Sequence, residues 1–401
     1  LIWDGSYKYY ICYNKDVLLE LTKDEEAALD GKHGETLALA YRVLVAIGDA
    51  TGSDKLIPIE WAHLSGVNYN TIGDAGEEFL SRLSKDAKFK VKTTVNPMGF
   101  DFDTVSKYDL DDQFIQKQQG IRKSYEKMGV IPSFSCIPYQ IFELPKKGTH
   151  VSFAESNAAI YANSISGLKT NKEGAFSALA SAITGKSPCS DLRDENNRKP
   201  DLTIQMKVKN KDELTYGMLG YFAGKVAGNS VAISGAKNLD MRNCKSLCAG
   251  MGTSGRCGMF TLEGSGEKID FDDKEMQKVR DELETSESGD IITLGSPQLG
   301  LDEISDLAVM LKGKSFKKRC MIFCPRAIRE QIKNLGYAKK IERAGAELLY
   351  DCCICLTPLI DKSNVDAVIT NSVKGAYYLR TSNGVDVNLK SLSQIVNEET
   401  N

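Results

Sequence analysis

Apolar positions along this chain recur at two periods. One places them three or four residues apart, as on a helix face, and the other every second residue, as on a strand. In "LTKDEEAALDG" Thr22 reads as an N-cap, with Glu25 three residues on to complete a capping box. "GETLALAYRVLVAIG" follows as an amphipathic helix with Leu37, Ala40, Val43, Leu44 and Ile47 at helical spacing. Residues 48–83 read as a Gly-rich loop, a short segment and another helix. "KFKVKTTVNP" alternates as a strand. Residues 109–128 read as a helix, and "VIPSFSCIPY" as a strand running into a loop. "FAESNAAIYANSISG" and "GAFSALASAITG" are small-residue helices with glycine stops.

From about Pro200 the texture changes. "DLTIQMKVK", "DIITLGSP", "KRCMIFCP" and "ELLYDCCICL" read as strands. Between them, "DELTYGMLGYFAGKVAG", "LDEISDLAVMLKGK" and "RAIREQIKNLGYAKKIERAG" read as helices, and "AVITNSVKGAYYLR" closes the pattern. The polar run "GSGEKIDFDDKEMQKVRDELETSESGD" reads as a surface helix with flanking loops. This alternation predicts α/β layers built on parallel strands. With 401 residues the chain exceeds one ordinary domain. The expected divisions are an N-terminal extension over 1–18, a first region over 19–200 and an α/β region over 201–401.

Hydrophobic residues make up 42% of the chain and charged residues 26%, as expected for a globular protein with a core. A formal net charge of −3 argues against a general binder of nucleic acid or anionic membranes. No apolar run is long enough to span a bilayer. "LIWDGSYKYYICYNKD" lacks the basic-then-apolar order of a signal peptide, so a cytoplasmic protein is expected. In that compartment eleven cysteines are not a disulfide framework, and most are expected to be buried free thiols. Cys244 and Cys248 would share a helix face, and Cys320 and Cys324 a strand face, both suited to core packing. His33, His63 and His150 are too scattered for a zinc finger. "GMGTSG" fits a dinucleotide-binding spacing, but no strand precedes it, so it reads as a small-residue turn.

Two features call for chemistry. "DCCIC", residues 351–355, suits redox thiols, zinc or iron–sulfur ligands, or core packing. "AESNAAIYANS" and "TNKEG" place Glu155, Ser156, Asn157, Asn163 and Asn171 together. These would line a polar cavity or form a capped, solvated helix end.

Taken in order, "GDATGSDKLIPIEWAHLSGVNYNTIGDAGEEFL", "TTVNPMGFD", "CIPY", "HVSFAESNAAIYANSISGLKTNKEGAFSALASAITGKSP" and "ITNSVKGAYY" resemble the catalytic (large) subunit of the aconitase X family. The resemblance runs from about Leu19 to Val385. It implies the three-domain α/β body of aconitase, with the swivel domain absent, because the chain stops soon after "YYLR". The partner would be a small swivel-domain subunit forming a heterodimer or higher assembly, and that subunit would supply the catalytic base. The resemblance also implies an iron–sulfur cluster, 4Fe-4S in type, and dehydration of a β-hydroxy acid. Hydroxide is a poor leaving group, and an iron with an open position can act on it as a Lewis acid. The separate-subunit layout points first to (R)-5-phosphomevalonate, giving trans-anhydromevalonate 5-phosphate for isoprenoid synthesis. A cis-3-hydroxy-L-proline dehydratase and a cluster-deficient, non-catalytic member are the alternatives.

Matched segment by segment, "CIPY" implies that Cys136 is a cluster ligand and "YDCC" that Cys353 is another. "GSPQ" puts Ser296 where the family has cysteine and Gln298 where it has histidine. A serine oxygen is a harder donor than thiolate, so the cluster is expected to be labile or altered. If "DCCIC" is a strand, Cys353 and Cys355 share a face and Cys352 points away, which makes Cys355 a candidate substitute. "SGVNY" implies substrate contact by Gly66, Val67 and Asn68, and "VNP" by Asn96 and Pro97. Glu155, Ser156 and Lys374 match family substrate positions, against a helix cap for Ser156 and a solvated surface lysine for Lys374. Lys169 stands where the family often has arginine, and Thr261 where it usually has histidine.

Overall fold

The computed structural model describes residues 19–236 and 239–401, so the extension over 1–18 lies outside the described residues. The first helix, Lys23–Leu29, starts with the predicted capping box. The Thr22 N–H donates to Glu25 Oε2 at 2.7 Å, and the Glu25 N–H donates to Thr22 Oγ1 at 3.3 Å.

Among the described residues, fourteen strands follow in three regions. The first holds β1 (Leu56–Pro58), β2 (Trp61–Leu64), β3 (Lys92–Val95), β4 (Val151–Phe153) and β5 (Lys186–Pro188). Here β3-β2-β4 form a parallel sheet, and β1 pairs antiparallel with β5. The second region holds β6 (Leu202–Met206), β7 (Ser230–Ser234), β8 (Met259–Thr261) and β9 (Glu267–Phe271), parallel in the order β8-β7-β6-β9. The third holds β10 (Ile291–Leu294), β11 (Arg319–Cys324), β12 (Ala346–Tyr350), β13 (Ala367–Thr370) and β14 (Asp386–Leu389). They form a parallel sheet in the order β12-β11-β10-β13-β14. The expected α/β architecture with parallel strands is what the chain adopts. Each parallel sheet sends its loops out at the carboxyl ends of its strands, where α/β folds bind ligands.

Several elements differ from the periodic reading. "VIPSFSCIPY" is a strap rather than a strand. Ile131 bridges Thr94, Pro132 and Pro138 offer no N–H, and Ser133 and Ser135 tie the strap to Val95. The polar run thought to be a surface helix contains β9, which lies at a sheet edge, with its helix beginning only at Asp273. The long helix expected after Pro325 breaks at Gly336, whose φ is +73°.

"GMGTSG" is the last part of a helix, Met241–Ser254, rather than a turn. Its glycines allow close packing against the helix Glu213–Val226: a Cβ added to Gly250 would lie 2.0 Å from the Gly217 carbonyl oxygen. Cys244 and Cys248 on that helix, and Cys320 and Cys324 on β11, are buried in apolar cores as expected. Finally, β12 ends at Tyr350, so "DCCIC" is not a strand. Asp351 takes a left-handed φ of +63° and Leu356 one of +64°, which turns the chain out of the sheet.

Candidate active site

Six strand exits deliver the site. β2 leads into Ser65–Asn68, β3 into Asn96 and Pro97, and β4 into Glu155. From the other large sheet, β10 leads into Ser296, β12 into Asp351–Cys355, and β13 into Ser372 and Lys374.

The polar half centres on Glu155, the N-cap residue of the short helix Ser156–Tyr161. Its carboxylate is buried and pairs with buried Lys374, whose Nζ donates to Oε1. Asn96 Nδ2 donates to Glu155 Oε2 at 2.8 Å, and Asn157 Nδ2 donates to Oε1 at 2.8 Å. Burial alone would raise the carboxyl pKa; Lys374 and the Asn157 hydrogen bond outweigh it and hold Glu155 below the usual range. Burial pulls the Lys374 ammonium down, but Glu155 pushes it well above the ordinary lysine value. Lys374 is therefore a paired, buried cation and not a solvated surface lysine.

Behind this pair stands His63, which is fully buried. Its Nε2 lies 2.8 Å from Asn96 Oδ1 and its Nδ1 2.7 Å from Thr94 Oγ1. Because Asn96 Oδ1 can only accept, Nε2 carries the proton. The Thr94 hydroxyl then donates to Nδ1 and accepts from Trp61 Nε1 at 2.8 Å. Burial lowers the imidazole pKa to about 4, so the ring is neutral. Neutral His63 thus orients Asn96, which in turn orients Glu155.

The sulfur half adjoins the polar half through Asn157, whose Nδ2 also donates to the Cys136 carbonyl at 3.1 Å. Cys353 Sγ donates to the Gly295 carbonyl at 3.7 Å, and the neighbouring Cys136 and Cys355 side chains hold its thiol well below the usual range despite burial. Burial and Cys353 push Cys136 up, and the Cys353 contact pushes Cys355 up. Cys355 Sγ lies 3.0 Å from Ser296 Oγ. The Gln298 N–H donates to Cys136 Sγ at 3.2 Å, and Gln298 Nε2 donates to the Cys352 carbonyl at 2.9 Å. Gln298 therefore fills its position as a buried tie between two cysteine segments. Among the described residues, no three His, Cys, Asp or Glu side chains stand at metal-ligand spacing. The three thiols form a soft donor set of the kind that suits iron–sulfur chemistry, with one harder hydroxyl beside them.

The loop carrying Cys353 and Cys355 is fastened at both ends. Arg326 donates to Asp351 at 2.5 Å, to Asp101 at 2.8 Å and to Asp103 at 2.6 Å. The Met98 N–H donates to the Asp351 carbonyl at 2.7 Å. Asn68 and Asn70 both donate from Nδ2 to the Leu356 carbonyl at 2.9 Å. Cys352 is fully buried, and its backbone bridges Met98.

The structure thus joins Asn96, Glu155 and Lys374 directly, joins Cys355 to Ser296 directly, and brings Cys353 and Cys136 to the same turn through Gly295 and Gln298. Asn68 reaches this assembly through Leu356, and Pro97 lies between Asn96 and Met98 in the loop after β3. Gly66 is left-handed, with φ +77°, and packs towards Ala175; buried Val67 accepts from Gln118 Nε2 at 2.8 Å through its carbonyl. Ser156 packs against Gly252, not against Glu155's partners. Lys169 pairs with Glu195 at 2.5 Å, and Thr261 bonds the Glu263 carbonyl at 2.7 Å, so neither joins the group. The motifs did not single out Thr94, Ser372 or Arg326. Ser372 caps the Lys374 helix and also donates to the Ser296 carbonyl, linking the polar and sulfur halves.

Comparison with known proteins places this arrangement. Three sequence profiles match in succession: the aconitase X first domain over residues 18–193, the second over 200–291 and the third over 289–401. The phosphomevalonate dehydratase large subunit of Thermococcus kodakarensis is 37% identical over 396 residues, covering 94% of this chain and 99% of that protein. Its counterpart from Methanocaldococcus jannaschii is 38% identical over 382 residues, covering 90% and 94%. The cis-3-hydroxy-L-proline dehydratase of Hypocrea jecorina is 30% identical over 390 residues, covering 90% of this chain but 65% of that protein. The crystal structure of Thermococcus kodakaraensis aconitase X in its holo form superposes with a TM-score of 0.88 at 35% identity, covering 95% of this chain and all of that one.

Proposed function

The chain belongs to the aconitase X family, and on that premise we propose that it is the large subunit of a hydro-lyase that dehydrates (R)-5-phosphomevalonate to trans-anhydromevalonate 5-phosphate. The substrate assignment rests on five relatives named phosphomevalonate dehydratase large subunit, at 31–38% identity over nearly the whole chain. The cis-3-hydroxy-L-proline dehydratases match at 28–30%, and the chain spans only 65% of their length. The observation that carries the reaction type is the junction at Asn157, where a buried Glu155–Lys374 pair meets a group of thiols.

Cys136 and Cys353, with a third donor from the Ser296 and Cys355 pair, would hold an iron–sulfur cluster. When bound, that cluster supplies a Lewis-acidic iron for the departing hydroxyl. The chain's own residues do the rest of the positioning. Lys374, already charged, offers a point charge to a carboxylate or phosphate that can compete for Glu155. Asn96, fixed by His63, presents its amide to the same place. Gly66 to Asn68 bring backbone close to the substrate from the end of β2. A small swivel-domain subunit supplies the base that removes the proton, and the work is done in the cytoplasm, where the ten described free thiols stay reduced.

The test is anaerobic reconstitution of the full chain with the small subunit, assayed for water loss from each of the two candidate substrates. Turnover of (R)-5-phosphomevalonate alone is expected. Turnover of cis-3-hydroxy-L-proline instead would replace the substrate assignment. Iron near zero after reconstitution would favour the cluster-deficient reading, for which Ser296 beside the thiols is the motivating observation.

A further inference from the structure

Four side chains compete to be ligands where three are needed, and the geometry separates them. We propose that Cys355 is the third thiolate, with Cys136 and Cys353, and that the Ser296 hydroxyl is its hydrogen-bond partner and not a ligand. The inference rests on the cluster reading above and fixes the donor set within it.

The three sulfurs converge on one turn, residues 295–298: Cys353 Sγ donates to the Gly295 carbonyl at 3.7 Å, Cys355 Sγ lies 3.0 Å from Ser296 Oγ, and the Gln298 N–H donates to Cys136 Sγ at 3.2 Å. Ser296 touches this group through Cys355 alone, at 3.0 Å. Its backbone is held elsewhere, since its carbonyl accepts from Ser372 Oγ. The other thiols in reach of the loop are engaged in packing. Cys352 is fully buried against Met98, and Cys324 lies inside the β11 core with its Sγ 3.8 Å from the Leu349 carbonyl.

The loop is built to present Cys355 rather than merely to contain it. Left-handed φ values at the non-glycine residues Asp351 and Leu356 are unfavourable and persist only where neighbours fix them. Arg326 fixes the first, and Asn68 with Asn70 fixes the second. Between these two points the chain is not a strand, and Cys353 and Cys355 both reach the turn after β10, at Gly295 and Ser296. Thiolate is the softer donor and would be chosen over a neutral hydroxyl beside it. Its thiol proton leaves on binding.

The full chain would be reconstituted anaerobically with ferrous iron and sulfide, as wild type and as Cys355→Ser, Ser296→Ala and Cys353→Ser. Iron and sulfide per chain, visible absorbance and the electron paramagnetic resonance spectrum are the readouts. Cys355→Ser is expected to lower cluster retention by at least about tenfold, as Cys353→Ser does, while Ser296→Ala retains wild-type iron. Wild-type retention in Cys355→Ser, or loss in Ser296→Ala, overturns the assignment while leaving the cluster itself intact. Iron absent from the wild type overturns the cluster reading and the assignment with it. Alkylation of the wild-type chain needs no variant: iodoacetamide should label partly exposed Cys355 before reconstitution and not after. Equal labelling in both states overturns the assignment.

Discussion

Replacing Lys374 with methionine leaves Glu155 buried without its cation, and the size of the effect can be worked out. Breaking a buried ion pair by removing one partner typically costs about 3–5 kcal/mol. Asn96 and Asn157 still donate to the orphaned carboxylate, but the group can also escape by taking a proton. Protonating a carboxyl of ordinary pKa, about 4.3, costs about 3.7 kcal/mol at pH 7 and about 1 kcal/mol at pH 5. That escape caps the penalty, so the loss should be close to 4 kcal/mol at pH 7 and about 1 kcal/mol at pH 5. The sign follows from linkage. In the wild type Glu155 lies below its unfolded value, so the pair's contribution is present above about pH 4.3 and lost as pH falls through the folded pKa. In the variant the folded pKa is raised, so protons bind the native state and the deficit shrinks on acidification. For a cooperative unit of 150–250 residues the pH 7 deficit amounts to roughly 7–15 °C in the melting midpoint. Thermal melts of the metal-free chain at both pH values would measure it. The companion double variant, Glu155→Gln with Lys374→Met, should recover most of the loss, because the uncompensated charge is gone. An equal deficit at pH 7 and pH 5, or a double variant as unstable as the sum of the singles, would refute the reasoning.

Other consequences are open to the same measurements. His63 is neutral when folded, with a pKa near 4, so the unfolded chain binds its proton first on acidification. About 3 kcal/mol of stability should drain away between about pH 6.5 and pH 4, and His63→Gln should flatten that part of the pH–stability curve. Gly250→Ala places a methyl 2.0 Å from the Gly217 carbonyl oxygen, and should cost at least about 2 kcal/mol in a melt. Arg326→Met leaves buried Asp101 and Asp351 facing each other without their shared cation, for a loss of about 3–5 kcal/mol. Because Arg326 fastens the cysteine loop, a reconstituted Arg326→Met chain should also bleach faster in air than the wild type.

The sequence disclosed the layers and most elements because local signals and tertiary packing agreed. The capping box at Thr22, the glycine stops at Gly167 and Gly185 and the parallel strands after Pro200 all rest on nearby residues. It misled where a distant partner overrode the local period. "ELLYDCCICL" alternates like one strand, yet Arg326 and Met98 seize Asp351 and end the strand there. β9 was hidden because an exposed edge strand has little need for apolar residues. Of the site, the motifs marked the residues that meet, but not the side chains that hold them. Thr94, Ser372 and Arg326 are ordinary residues in sequence, and their roles arise only when separate strand exits converge.

That convergence explains how the site can tolerate a hydroxyl at Ser296. Its parts do not hang from one another in series. Gln298 ties the Cys136 and Cys352 segments by its N–H and its amide, Lys245 Nζ holds the Gln298 carbonyl at 2.8 Å, and Asn157 ties Cys136 to Glu155. Ser372 anchors the Ser296 backbone to the helix that carries Lys374. Each donor segment is held by bonds that do not involve a sulfur ligand at Ser296. Exchanging a thiol for a hydroxyl there alters one donor atom without loosening the frame. The neighbouring loop already carries a sulfur 3.0 Å away. Under the proposed cluster, a site braced in this way would keep its polar half, built on Glu155 and Lys374, in place whichever of the two loops supplies the third donor.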